Sequence, residues 1–177
     1  MRLKKGFTIV EVSLVVAIGG LILVGALIAV PNLLRLTRDS QRKTDMETLV
    51  SAIKKYQTNN NRGALPATKA DWDSFKSDFL PGDFSDPSGR KYAINMYTCD
   101  GVTDPGTVCD VYSGGKLKNK FSNAYLTRFK DFPNNYIMPV IVGAKCGDDN
   151  KPVKSSSDRK FAVIYVLEVN DLFCIDG

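Results

Sequence analysis

The chain of 177 residues contains no histidine. That absence excludes Ser-His-Asp and Cys-His catalysis and every zinc site that needs an imidazole. No Cys-x-x-Cys pair occurs, because Cys99, Cys109, Cys146 and Cys174 are widely separated. A large charge excess is also missing. The formal charge is +5, of which Arg2, Lys4 and Lys5 supply three, so the chain from Phe7 onward carries only +2. So weak an excess is no argument for a nucleic-acid partner.

Catalytic motifs are equally scarce. Ser51-x-x-Lys54 and Ser113-x-x-Lys116 have the spacing of penicillin-recognising enzymes, but no Lys-Thr-Gly accompanies either, and both read as chance. Ser113–Gly114–Gly115–Lys116 lacks P-loop spacing. The acidic groups Asp100, Asp104 and Asp110, and Asp148–Asp149–Asn150, fit no EF-hand loop and read as solvated turns. The chain therefore does not read as an enzyme, and no cofactor, metal or catalytic residue is expected. Lys145, Lys151, Lys154, Arg159 and Lys160 surround the Cys146 loop without interleaved aromatics. That pattern suits a solvated mixed-charge loop better than a single-strand binding surface.

What the chain does have is one long apolar run. From Val12 to Val30 the only polar side chain is Ser13, over 19 residues, or 24 counted from Phe7 with Thr8 and Glu11 included. A helix needs about 20 residues to cross the hydrocarbon core, so one span is expected. A removable signal peptide would have an apolar region of about 7–15 residues and a small-residue cleavage site. This run is longer and carries the carboxylate of Glu11 near its start. Arg35, Arg38, Arg42 and Lys43 follow the span, so the count of flanking cations does not by itself set its orientation. Gly19, Gly20 and Gly25 lie within the run and Pro31 ends it. They suit either close helix packing or a helix that loosens locally.

Beyond Pro31 the helix is expected to continue. Met46, Leu49, Val50, Ile53 and Tyr56 recur at steps of three to four residues, while Arg35, Arg38, Arg42 and Lys43 read as solvated. The stretch Asn59–Asn60–Asn61–Arg62–Gly63 reads as the stop. Thr68-x-x-Asp71 looks like a capping box before a short helix carrying Trp72, Phe75 and Phe79, closed by Pro81–Gly82. Lys91–Thr98, Val108–Tyr112, Tyr136–Ala144, Phe161–Val169 and Leu172–Ile175 read as strands, with Asn170–Asp171 as a hairpin turn. Phe161–Val169 is apolar on both alternating faces, as in a central strand. Phe121, Tyr125 and Phe129 recur every four residues, which predicts a second helix over about 119–131.

Four cysteines behind a membrane or export signal point to two disulfides in an oxidising space. That places the N-terminus in the cytoplasm. Three pairings are possible. Cys99–Cys109 and Cys146–Cys174 are favoured because each pair brackets a compact segment.

The N-terminus resembles the type IV prepilins and the related pseudopilins. Their pattern is a short basic leader ending in Gly, then Phe-Thr-Leu-Ile-Glu and a long hydrophobic helix. Here it reads RLKKG and then FTIVE, with Gly6, Phe7, Thr8 and Glu11 in register and Ile9 and Val10 as conservative variants. The resemblance covers about residues 2–30. It implies cleavage between Gly6 and Phe7 by a membrane prepilin peptidase, N-methylation of Phe7, and assembly through the helix into a filament. In the family the carboxylate at Glu11 pairs with the new amine of a neighbouring subunit, so Phe7 and Glu11 are the assembly residues. Many pilins carry a helix-breaking proline where this chain has Ile28. Gly19, Gly20 and Pro31 are the helix-flexibility positions here.

The expected fold is accordingly α+β: a long N-terminal helix packed on an antiparallel sheet, with short extra helices. The divisions are a leader over 1–6, a transmembrane or filament-core helix over 7–31, an amphipathic continuation over 32–61, and a globular head over 62–177. The resemblance implies a structural subunit, in the cell membrane before assembly and in a cell-surface filament afterwards. Its implied partners are copies of itself or other pilins, the peptidase and the assembly platform. Adhesion, twitching motility or DNA uptake are possible outputs, with an anionic host surface or DNA as possible ligands. A pseudopilin of a secretion or competence system, and an unprocessed single-span surface protein, remain open alternatives.

Overall fold

The computed structural model describes residues 6–59, 63–66, 69–100, 105, 109–113, 116–120, 136–148, 150–168 and 172–177. The chain divides into two compact units, Met1–Arg38 and Asp39–Gly177. Helix α1, Ile9–Asn59, contributes to both and contains Pro31 without interruption.

In the second unit α1 buries Asp39, Arg42, Met46, Leu49, Val50, Ala52 and Ile53, a stripe at helical spacing. Helix α2, Lys69–Phe79, adds Phe75, which is fully buried. Trp72 and Phe79 pack against the same core, and Tyr56 meets both Phe75 and Phe79 edge-on. Thr68, the expected cap of α2, lies outside the described residues.

Among the described residues eight strands follow: β1 Ala93–Asp100, β2 Asp110–Ser113, β3 Lys116–Lys120, β4 Ile137–Val142, β5 Ala144–Cys146, β6 Pro152–Lys154, β7 Phe161–Val166 and β8 Leu172–Asp176. Six form one sheet in the order β3-β2-β1-β4-β7-β8, and β5 and β6 form a small hairpin. All pairs are antiparallel except β1 with β4. The architecture is the expected α+β arrangement, with the α1 segment of this unit against a predominantly antiparallel sheet.

The central strands are buried on both faces. Met138, Val140, Phe161, Val163 and Tyr165 join the α1 and α2 side chains in one core. Ile141, Ala162 and Ile164 alternate with them and pack on the other face with Cys99, Cys109, Ala144 and Cys174. This is why β7 reads as continuously apolar. Gly143, at φ +72°, turns the chain between β4 and β5 in a conformation that side chains rarely adopt.

The helix predicted over 119–131 is corrected at its start. Asn119 and Lys120 lie in β3, opposite Val111 and Asp110. Ser113 and Lys116 are cross-strand partners, and ladder pairing at Asn119 and Lys120 prevails over the four-residue aromatic spacing. Phe121, Tyr125 and Phe129 lie outside the described residues.

Candidate functional site

In the N-terminal unit, Gly6, Phe7 and Thr8 precede the helix and Ile9 begins it. The first amides of a helix have no intrahelical acceptor and need one from a side chain. Thr8 and Glu11 supply this reciprocally. The backbone N of Thr8 and its Oγ1 each donate to Glu11 Oε2 at 3.0 Å, and the backbone N of Glu11 donates to Thr8 Oγ1 at 3.3 Å. This is a capping box, with Thr8 as the cap and Glu11 three residues on. Its signal, Thr-x-x-Glu at the head of an apolar run, is present in the sequence, and sequence reasoning missed it.

The helix that this box starts is apolar and uncovered. Phe7 is 88% exposed, and Ile9, Leu21, Leu27 and Leu36 are among the large exposed apolar side chains that follow. No part of its most apolar stretch is buried, and the helix is long and apolar enough to cross a membrane. A Cβ added at Gly19, Gly20 or Gly25 would meet nothing within 4 Å, so packing inside this chain does not require a glycine at any of them.

The second unit holds a buried charged network. The sequence reading that kept Arg42 solvated is corrected here, since Arg42 is only 7% exposed. Its Nε and Nη2 donate to Asp86 Oδ2 and Oδ1 at 2.7 and 3.2 Å, a two-pronged pair. Its Nη1 donates to Asp39 Oδ1 and Glu168 Oε1, both at 2.9 Å. Asp39 Oδ1 also accepts from the backbone N of Glu168, and Asp86 Oδ2 accepts from the Tyr165 hydroxyl. One guanidinium thus faces three carboxylates, which is what makes its burial tolerable.

Burial alone would lower the Arg42 guanidinium, but hydrogen bonds to Asp86 and Asp39 hold its pKa above the ordinary value. Burial would raise the Asp86 carboxyl, yet bonds from Arg42 and Ser88 together with the Arg42 charge carry it below the ordinary carboxylate range. Burial pushes Tyr165 up, helped by the negative charge of Asp86. Tyr92 is also raised by burial and by its 2.7 Å hydrogen bond to Asp45. Asp45 is raised by burial, which outweighs that hydrogen bond. The network ties α1 to the Asp86 loop and to the end of β7.

Cys99 is bonded to Cys109 and Cys146 to Cys174. The first links the end of β1 to the start of β2, and the second links β5 to β8. Among the described residues no group of three or more acidic or cysteine side chains could hold a metal ion. Of the cations around the Cys146 loop, Lys154 pairs with Asp158 at 3.4 Å and donates to the carbonyl of Cys99.

Residues 1–27 match the family described as the prokaryotic N-terminal methylation motif. The matched segment includes Gly6, Phe7, Thr8 and Glu11 and ends within the apolar part of α1. No curated protein and no solved structure gives a significant match. The chain thus carries a prepilin-type methylation motif, consistent with the type IV pilin and pseudopilin superfamily.

Proposed function

We propose that the chain is a structural subunit of a type IV pilus-like surface filament. It inserts in the membrane through residues 7–31 with its N-terminus in the cytoplasm. A prepilin peptidase cuts between Gly6 and Phe7 and methylates the new amine of Phe7. The assembly platform then adds the subunit to the filament through its N-terminal helix, where Glu11 of one subunit meets the Phe7 amine of another. Adhesion, twitching motility and DNA uptake are the outputs such a filament serves.

The observation that supports this reading most is the common register of its parts. A basic leader, Gly6, Phe7 and a capping carboxylate stand in one motif, at the head of an uncovered apolar helix. An unpaired charge inside an apolar bundle costs several kcal/mol, and a close opposite charge offsets part of it. Helices stacked out of register would leave both Glu11 and the amine unpaired, so the pair selects one stacking.

The test is the intact mass of the mature protein from membranes of cells with an active peptidase. Loss of Met1–Gly6 with one methyl group on Phe7 is expected. A membrane pool that keeps the leader would overturn the proposal.

A further inference from the structure

A second feature lies in the unit Asp39–Gly177. A cleft of about 460 Å³ lies between the last turns of α1 and the loop before β7, lined by Lys54, Gln57, Thr58, Gly63, Arg159 and Lys160. Three of these six are cations, and among the described residues no carboxylate lines the cleft. All three are exposed, and among the described residues none of them has a salt-bridge partner. The nearest acid in sequence, Asp158, is turned to Lys154.

The cleft is also braced. Gln57 Nε2 donates to the carbonyl of Arg159 at 3.0 Å and to that of Gly63 at 3.4 Å, tying both walls to α1. The loop before β7 is held by its own bonds: Ser155 N to Gly143 O, Ser157 N to Ser155 Oγ, Arg159 N to Ser157 Oγ, and Lys160 N to Ser157 O. Gly143 N closes it by donating to the carbonyl of Lys160 at 2.7 Å. Three like charges around one braced cleft repel each other, and an anion between them removes that cost.

We propose that this cleft binds a compact oxyanion of the phosphate class, carried on a small molecule or on the end of a glycan. Arg159 offers a planar fork suited to phosphate oxygens, and Lys54 and Lys160 add point charges. The cleft exceeds a bare phosphate and has room for an attached sugar. Among the described residues no aromatic side chain lines it to form a platform for stacked bases. The three cations line one cleft, whereas a duplex is held by several phosphate contacts spread along its backbone. The proposal does not depend on filament assembly.

The test uses the full processed chain in detergent micelles, titrated calorimetrically with inorganic phosphate, glucose 6-phosphate and a short DNA duplex. Saturable binding of phosphate and glucose 6-phosphate is expected, weakened about tenfold or more in the double variant Lys54→Gln, Arg159→Gln. Lys160→Gln alone should weaken it less, and Lys145→Gln, outside the cleft, should leave it unchanged. Equal melting temperatures verify that these surface variants fold. The proposal is overturned if no saturable binding occurs by about 10 mM phosphate, if the cleft variants bind as well as the parent, or if only the duplex binds.

Discussion

Thr8 and Glu11 close on each other at the first turn of α1, two bonds falling on Glu11 Oε2 at 3.0 Å and one returning to Thr8 Oγ1 at 3.3 Å. The carboxylate is therefore oriented within its own chain before it meets a neighbour. Neither bond to the carboxylate uses Oε1. On the filament reading one oxygen starts the helix and the other is left to the amine of the next subunit.

Removing the cap separates these two roles. Thr8→Ala should cost about 1 kcal/mol of helix-start stability. The expected readout is faster amide exchange at residues 9–12 in micelles, by about fivefold. Thr8→Ser keeps the hydroxyl and should exchange like the parent. Equal exchange in Thr8→Ala would show that the box contributes nothing.

Glu11→Ala tests the pairing itself. Insertion depends on the apolar run and should be unchanged when measured by membrane fractionation. Filament yield should fall steeply, because the Phe7 amine of each added subunit would enter an apolar core without a partner. Normal yield from this variant would count against the register role of Glu11.

The buried network makes a prediction for the head. Arg42→Met leaves Asp86 and Asp39 buried without their cation, and should lower unfolding stability by about 3–5 kcal/mol. Adding Asp86→Leu should recover part of that loss, since two apolar side chains can replace a buried pair. Urea denaturation with both disulfides intact would measure each step.

The sequence carries some of these features and hides others. The two-faced burial of β7 is legible because strand periodicity writes it locally. Arg42 sits on the same stripe as Met46 and Leu49, yet its charge argues for solvent. What reverses that is Asp86, 44 residues away, and Glu168, 126 residues away, and nothing local announces either. The parallel pairing of β1 with β4 and the three-residue strands β5 and β6 likewise depend on distant partners. The oxyanion cleft joins Lys54 to a loop some hundred residues on, with Gln57 reaching Arg159 across 102 positions. By contrast, the Thr8 cap is entirely local, and its spacing sits in plain view inside the methylation motif.

Acid should act on the head through Asp86. Its folded carboxyl lies below the ordinary value of 3.8, so its contribution is complete above that value and is lost as pH falls through the folded one. Asp45 works in the opposite direction: its carboxyl is raised, so it disfavours the fold as pH rises from 3.8 through the raised value. Asp86→Asn should therefore be less stable than the parent at neutral pH and should lose less on acidification below 3.8. Urea midpoints measured across that range check this, with Asp45→Asn expected to flatten the range just above it. The groups that share this environment are Arg42, Asp39, Glu168, Tyr165 and Tyr92. Parallel profiles for the parent and Asp86→Asn would remove Asp86 from the explanation.

The two disulfides should differ in their contribution. Each closes a loop in the unfolded chain, spanning 10 residues for Cys99–Cys109 and 28 for Cys146–Cys174. Loop-closure entropy favours the longer one by about 0.9 kcal/mol, on a base of roughly 2–4 kcal/mol each. The Cys146→Ser, Cys174→Ser variant should therefore unfold at lower urea than the Cys99→Ser, Cys109→Ser variant. The longer bridge also joins the β5–β6 hairpin to β8 of the main sheet, so its loss should raise amide exchange in β5 and β6 ahead of global unfolding. If the order of the urea midpoints is reversed, the shorter bridge matters through contacts in the folded core around Cys99, Cys109 and Ile141 and not through chain entropy.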